Sequence, residues 1–254
     1  MNLLRELASL YARIARVYVA WFPTLMLLAA IVFLPLGLLG ALAAQVDVES
    51  LTLDSVVKVA ALLGAVSAIL ATSLLGEVFY SGAIAIGLTH PRHEHPPKLR
   101  EIAGQINYRR LIVIDIIYVA LVIVGMAALI VPGVLVFIYL GLAGPVVEIE
   151  ERTVRKALRR SFDLVRGNFW LVFFVLAPIE LLGEALGEFL GEGIHELSHG
   201  FLGEWLAETV SSSVLSPLYA VAAVLLTLEL IQRRDGEAPA LKHRPTPVEP
   251  TVSA

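Results

Sequence analysis

Hydrophobic residues in this chain gather into long blocks, and the polar breaks between blocks define its elements. Nearly uncharged stretches occupy residues 21–44, 56–88, 111–131, 133–147, 169–182 and 209–231. A helix needs about 20 apolar residues to cross the core of a bilayer. The blocks therefore predict an all-α fold, a polytopic membrane helical bundle of about six transmembrane helices with amphipathic interfacial helices beside them. The block 133–147 is short for a full crossing, whereas 56–88 is longer than the bilayer core and must tilt, kink or project.

Between the blocks the pattern changes to a helical period with one polar face. In residues 3–18, Leu3, Leu4, Leu7, Leu10, Ile14 and Val17 stand on one side and Arg5, Arg13 and Arg16 elsewhere, which predicts an interfacial helix feeding the first span. That span is too long for the apolar region of a signal peptide, about 7–15 residues, so Ala41-Leu42-Ala43 is read as uncleaved sequence. The break at 90–110 begins with Pro91, Pro96 and Pro97 and passes into a short helical pattern. Residues 152–166 form a second amphipathic segment, strongly basic. Residues 183–206 repeat every four positions: Gly183, Gly187, Gly191, His195, His199 and Gly203 share one register, and Glu184, Glu188, Glu192, Glu196 and Glu204 the next. This predicts an outer interfacial helix with a glycine packing stripe. Residues 235–254 hold Pro239, Pro245, Pro247 and Pro250 with few bulky apolar groups and read as a disordered cytoplasmic tail. Residues 1–234 are then one integral membrane helical domain.

Composition sharpens this picture. The chain is 57% hydrophobic and 17% charged, with a mean hydropathy of +0.80, against about 25% charged for a soluble domain. With no Cys, disulfides, thiolate catalysis and Cys-ligated metal centres are excluded. The distribution of charge says more than its net value of −4. Of 19 Lys and Arg, all but Lys58 fall before the first span, between the second and third, between the fourth and fifth, or after the last. The positive-inside rule then places both termini in the cytoplasm of a multi-pass cell membrane protein, with loops 45–55 and 183–208 outside.

The most distinctive stretch runs from Pro132 to Trp170. It contains Pro132-Gly133, Pro145, Glu150, Ala157-Leu158-Arg159-Arg160-Ser161, Val165-Arg166-Gly167 and Trp170, echoed by Ser216-Pro217-Leu218 and Arg233-Arg234. These residues resemble the bacterial family named for the glycerophosphoryl diester phosphodiesterase membrane domain. Tyr139 and Thr227 depart from it, standing where the family often has Arg and Tyr. The resemblance implies a helical membrane module, sometimes attached to a phosphodiesterase barrel. Such a barrel needs about 250 residues of alternating strand and helix, and this sequence is occupied by apolar blocks, so the activity in the family name is not transferred.

Physically, Pro132 and Gly133 suit a tight reversal between spans, because Pro lacks an N–H and Gly tolerates positive φ. In the basic segment, Arg152, Arg155, Lys156, Arg159 and Arg166 can reach lipid phosphates, while Val154, Ala157, Leu158, Phe162 and Val165 face the bilayer or the bundle. The plainer account of those charges is that they only enforce topology. The expected function is a non-catalytic membrane module whose partners are membrane lipids, another membrane protein or a second copy, with no cofactor and no nucleic acid.

Two alternative readings belong to other classes. His195-Glu196-Leu197-Ser198-His199 matches H-E-x-x-H, in which two His one turn apart bind zinc and the Glu is the base of a metallohydrolase. The four-residue repeat yields the same string when His replaces Gly twice. A third ligand is also hard to supply, since a span of about 30 Å separates this loop from Asp235. The other alternative is transport. Glu77, Asp115, Glu180 and Glu229 lie in or near apolar blocks, where an ionisable group is costly. Asp115 and Glu229 are expected to pair with Arg109, Arg110 or Arg233, leaving Glu77 as the carboxylate of a proton or cation pathway.

Overall fold

Buried apolar residues follow one another at helical spacing from Leu10 and Ile14 through Leu25, Leu28 and Ala29 to Phe33, a stripe that keeps its phase across Pro23. One continuous helix results where an interfacial helix and a separate span are expected. The structure, a computed structural model, describes residues 3–44, 76–89, 99–197 and 201–236. In chain order its helices are α1 (Leu3–Ala44), α2 (Glu77–Leu88), α3 (Leu99–Gln105), α4 (Tyr108–Ala128), α5 (Ile130–Leu140), α6 (Ala143–Ile149), α7 (Val154–Arg166), α8 (Phe169–Leu197) and α9 (Phe201–Asp235). No strand occurs among the described residues.

Among the described residues, three stretches are long and apolar enough to cross a membrane: Leu3–Leu38, Tyr108–Ala128 and Ile130–Ile149. The pair Val154–Arg166 and Phe169–Gly183, bent by 105°, adds a fourth if it is counted as one broken span. The block that looked short in sequence reaches 20 residues because it begins at Ile130 and continues through a kink at Gly141-Leu142. The loop 45–55 and most of the block 56–88 lie outside the described residues.

α1 and α9 run antiparallel along most of their length. Glu6 pairs with Arg233, Arg13 with Glu229 at 2.8 Å, the Tyr18 hydroxyl donates to Val214 O at 2.9 Å, and Trp205 Nε1 donates to Leu34 O at 3.1 Å. The two ends of the described chain therefore meet at one end of the bundle. α9 is also packed against α8 and α2, which explains why six consecutive residues, Tyr219, Ala220, Val221, Ala222, Ala223 and Val224, are all buried. A helix apolar on every side belongs in the centre. α6 is likewise buried throughout and crosses α2 closely: a Cβ on Gly144 would strike Val78 O, and one on Gly82 would lie 3.2 Å from Gly144 O. Small residues let the two backbones approach.

The Pro132-Gly133 expectation needs correction. The reversal between α4 and α5 occurs at Leu129, whose backbone is extended, and Pro132 sits in the first turn of α5, where its missing N–H costs nothing. Gly133 has no positive φ. It is needed for space, since a Cβ there would fall 2.8 Å from Met126 N, and one on Gly125 would fall 2.8 Å from Gly133 Cα. Residues 183–206 also differ from expectation, because they are not a separate interfacial helix: α8 continues unbroken from Phe169 to Leu197, α9 begins at Phe201, and residues 198–200 lie outside the described residues. The tail boundary shifts as well. Asp235 is the last residue of α9 and pairs with Arg160, and residues 237–254 lie outside the described residues.

Candidate functional site: the basic end of the bundle

The turn Gly167-Asn168 changes the chain direction by 105°, so α7 lies across the end of the bundle at which α1 begins and α9 finishes. Its buried residues are Ala157, Ser161, Leu164 and Val165, spaced three or four apart as one face of a helix requires. The Ser161 hydroxyl donates to Tyr139 O at 2.8 Å, giving that buried polar group its partner. Leu158 is half-buried, and Phe162 stacks on Tyr139 with ring centroids 4.6 Å apart. Phe169, Trp170, Phe173 and Phe174 extend the aromatic cluster onto the first turns of α8, with Trp170 60% exposed.

The basic residues divide into two groups. Arg160 is held between two acids, reaching Glu150 at 3.0 Å and also Asp235. Burial opposes its charge, but the two carboxylates outweigh burial and raise the guanidinium above its ordinary value. Arg152 reaches the same Glu150 at 2.5 Å, and Arg234 donates to Asp163 O. Glu150 thus ties the start of α7 to its middle, and Arg160 and Arg234 tie α7 to the end of α9. Arg155, Lys156, Arg159 and Arg166 are exposed, and among the described residues none of the four forms an ion pair. Of the five residues expected to face lipid, Arg152 is therefore engaged within the protein and four are available.

The remaining motif residues have structural positions. Pro145 is buried in the first turn of α6, Ala157 fits its helix against the core, and Tyr139 and Thr227, the two departures, are a stacking partner of Phe162 and a buried hydroxyl donating to Ala223 O at 2.7 Å. Nothing in the structure explains Gly167, whose Cβ would meet open space. For the zinc-like string, the helical backbone at His195 is described, but His199 lies outside the described residues. Among the described residues no three metal-ligating side chains converge.

Buried acids perform a task the sequence did not reveal. Asp115 on α4 is 3% exposed; it accepts the backbone N–H of Gly76 at 2.7 Å, of Val78 at 3.1 Å and of Phe79 at 3.4 Å. It therefore caps the N-terminus of α2 and does not pair with Arg109 or Arg110. Glu148 on α6 accepts the N–H of Asn107 at 2.9 Å and so caps α4 in the same way. Neither helix has a capping side chain of its own, and the first N–H groups of any helix need acceptors that lie outside it. The sequence hint was an acid inside an apolar block with no local cap nearby. Glu229 pairs with Arg233 as expected, and also with Arg13, which the sequence did not point to.

Compared with known proteins, the chain matches no family model, no curated protein and no solved structure.

Proposed function

We propose that this protein is a non-catalytic integral membrane module of about six spans, with both termini in the cytoplasm, whose helix α7 lies in the membrane plane and binds the phosphates of anionic lipid. On this reading the likeness to the glycerophosphoryl diester phosphodiesterase membrane domain family is a likeness of the membrane module alone. The observation that carries the proposal is the division of the basic residues. Structural charges are neutralised by Glu150 and Asp235, while Arg155, Lys156, Arg159 and Arg166 stay exposed on a helix set at 105° to α8. Charges needed only to fix topology have no reason to share one in-plane face, whereas an anionic surface attracts such a face. The aromatic cluster of Phe162, Phe169 and Trp170 suits the headgroup level, where amphipathic rings concentrate.

The test is to change Arg155, Lys156 and Arg159 together to Gln. Each basic residue near an anionic surface contributes about 1 kcal/mol, so binding of phosphatidylglycerol should weaken by roughly two orders of magnitude, read as lipid retained on the detergent-purified protein. Unchanged retention would remove the lipid role. For topology, a reporter active only in the cytoplasm should give signal when fused at Gln105 and none at Gly193; signal at Gly193 would overturn the arrangement.

A further inference from the structure

The turn between α4 and α5 is apolar all round. Leu129, Ile130 and Val131 are 69%, 74% and 67% exposed, and three consecutive residues cannot share one face of a helix, so bare apolar surface wraps the apex of this hairpin. No polar or charged side chain occurs from residue 119 to residue 138. The nearest tyrosines, Tyr118 and Tyr139, stand about 15 Å back along the two arms. The base of the hairpin is polar instead. There Arg110 donates to Glu151 O at 3.3 Å and the Asn107 N–H to Glu148 at 2.9 Å, beside the start of α7. Both arms therefore leave from the basic end of the bundle, and the apex is the part of the hairpin farthest from it.

A turn that reaches water ordinarily carries polar side chains, and one at the membrane surface is ordinarily flanked by Trp or Tyr. The apex has neither. Its backbone suits surroundings that offer no water to pair with: the Leu129 N–H donates to Gly125 O at 3.0 Å, Leu129 O accepts the Gly133 N–H at 3.3 Å, and Pro132 brings no N–H at all. Close approach of Gly125 and Gly133 keeps the reversal to the single residue between α4 and α5. Length agrees with this. From Arg110 to Leu129 the helix rises about 28 Å, just short of a hydrocarbon core of about 30 Å, and any tilt shortens its reach. We propose that Leu129, Ile130 and Val131 do not emerge into water but insert among the lipid acyl chains of the leaflet opposite α7, so that α4 and α5 form an anchor entering and leaving the membrane on one side. This rests on the reading of the chain as an integral membrane protein with α7 in the membrane plane, and it leaves the sidedness of every other segment unchanged.

Because the chain has no Cys, Ile130→Cys in the full-length protein introduces a single thiol. A charged, membrane-impermeant maleimide is applied to membranes opened to expose both faces, and again after solubilisation in SDS. In the membrane the reaction should be at least about tenfold slower, since the reagent is excluded and apolar surroundings suppress the thiolate. With bimane on the same thiol in phosphatidylcholine–phosphatidylglycerol vesicles, a nitroxide on the acyl chain should quench more strongly than one on the headgroup. Equal maleimide rates in membrane and SDS, or stronger quenching from the headgroup, would place the apex in water and overturn the proposal. Disulfide-linked dimers on mild oxidation, without acyl-chain quenching, would assign the apex to a second copy and overturn it equally. Val131→Cys decides the matter if Ile130→Cys does not fold. Gln105→Cys, treated with the same maleimide in intact cells, reads the underlying topology: reaction from outside would defeat that arrangement while leaving the quenching at the apex as evidence on its own, so the two failures are distinguishable.

Discussion

Removing the carboxylate of Asp115 tests the cap it places on α2. In Asp115→Ala the N–H groups of Gly76 and Val78, bonded at 2.7 and 3.1 Å, lose their acceptor, together with the weaker bond from Phe79 at 3.4 Å. The site is buried, so water does not readily replace the acceptor. A buried donor left unpaired costs about 1–3 kcal/mol, and the two well-formed bonds together set a loss of about 3–5 kcal/mol. For a chain of this size each kcal/mol moves Tm by about 2–4 °C, which gives a fall of roughly 6–20 °C. Asp115→Asn keeps one acceptor oxygen and turns an amide N–H₂ toward the helix, so its loss should be smaller, about 1–2 kcal/mol. Arg109→Gln, which would disturb an ion pair but not a cap, should stay within about 0.5 kcal/mol of wild type. Thermal unfolding in detergent, followed by size-exclusion fluorescence, reads all three. A loss in Arg109→Gln matching that in Asp115→Ala, or an Asp115→Ala variant as stable as wild type, would refute the capping argument.

Substitutions at three other positions probe separate parts of the structure. Gly133→Ala should destabilise by about 1–3 kcal/mol through overpacking against Met126, measured in the same assay; a neutral result would mean that the α4–α5 hairpin is looser than described. Arg160→Gln should cost about 1–3 kcal/mol by leaving Glu150 without its inner partner, yet should not lower phosphatidylglycerol retention, since this guanidinium already serves the protein. Arg160→Lys should restore only part of that loss, because an ammonium group cannot span both acids as the guanidinium does. Glu151, the non-glycine residue with φ of 50° among those described, should accept Gly with a gain of about 0.5–1 kcal/mol, as left-handed backbone costs an L-residue about 1–2 kcal/mol and Gly returns part of this as unfolded-state entropy.

Much was legible in the sequence because it depends on what each block is made of. A long apolar block has no polar side chains to pair its backbone N–H and C=O groups, and a helix satisfies them within the segment, so the all-α character and the positions of α4, α7 and the apolar parts of α1, α8 and α9 follow from pattern and block length. The amphipathic face of α7 was legible in Ala157 and Val165, which recur at helical spacing between charges and are buried, whereas Phe162, grouped with them by the pattern, is exposed and Leu164 takes a place in the core. Continuity was harder to read. Pro23 is compatible with a break, and only the packing of Leu25, Leu28 and Phe33 in phase with Leu10 and Ile14 shows that α1 carries on through it.

Partnership across the fold is what only the tertiary structure decided. Asp115 stands 39 residues from Gly76 and Glu148 stands 41 from Asn107, so the sequence shows an acid in an apolar block but not which helix end it caps. The division of the basic residues has the same origin: Arg160 resembles Arg159 until α9 brings Asp235 beside it, after which one is a structural charge and the other is free to meet lipid. A linear pattern records which face of a helix is apolar, but the identity of the facing residue depends on how antiparallel and crossing helices are brought together, and that is settled by close approach at positions such as Gly82, Gly125 and Gly144.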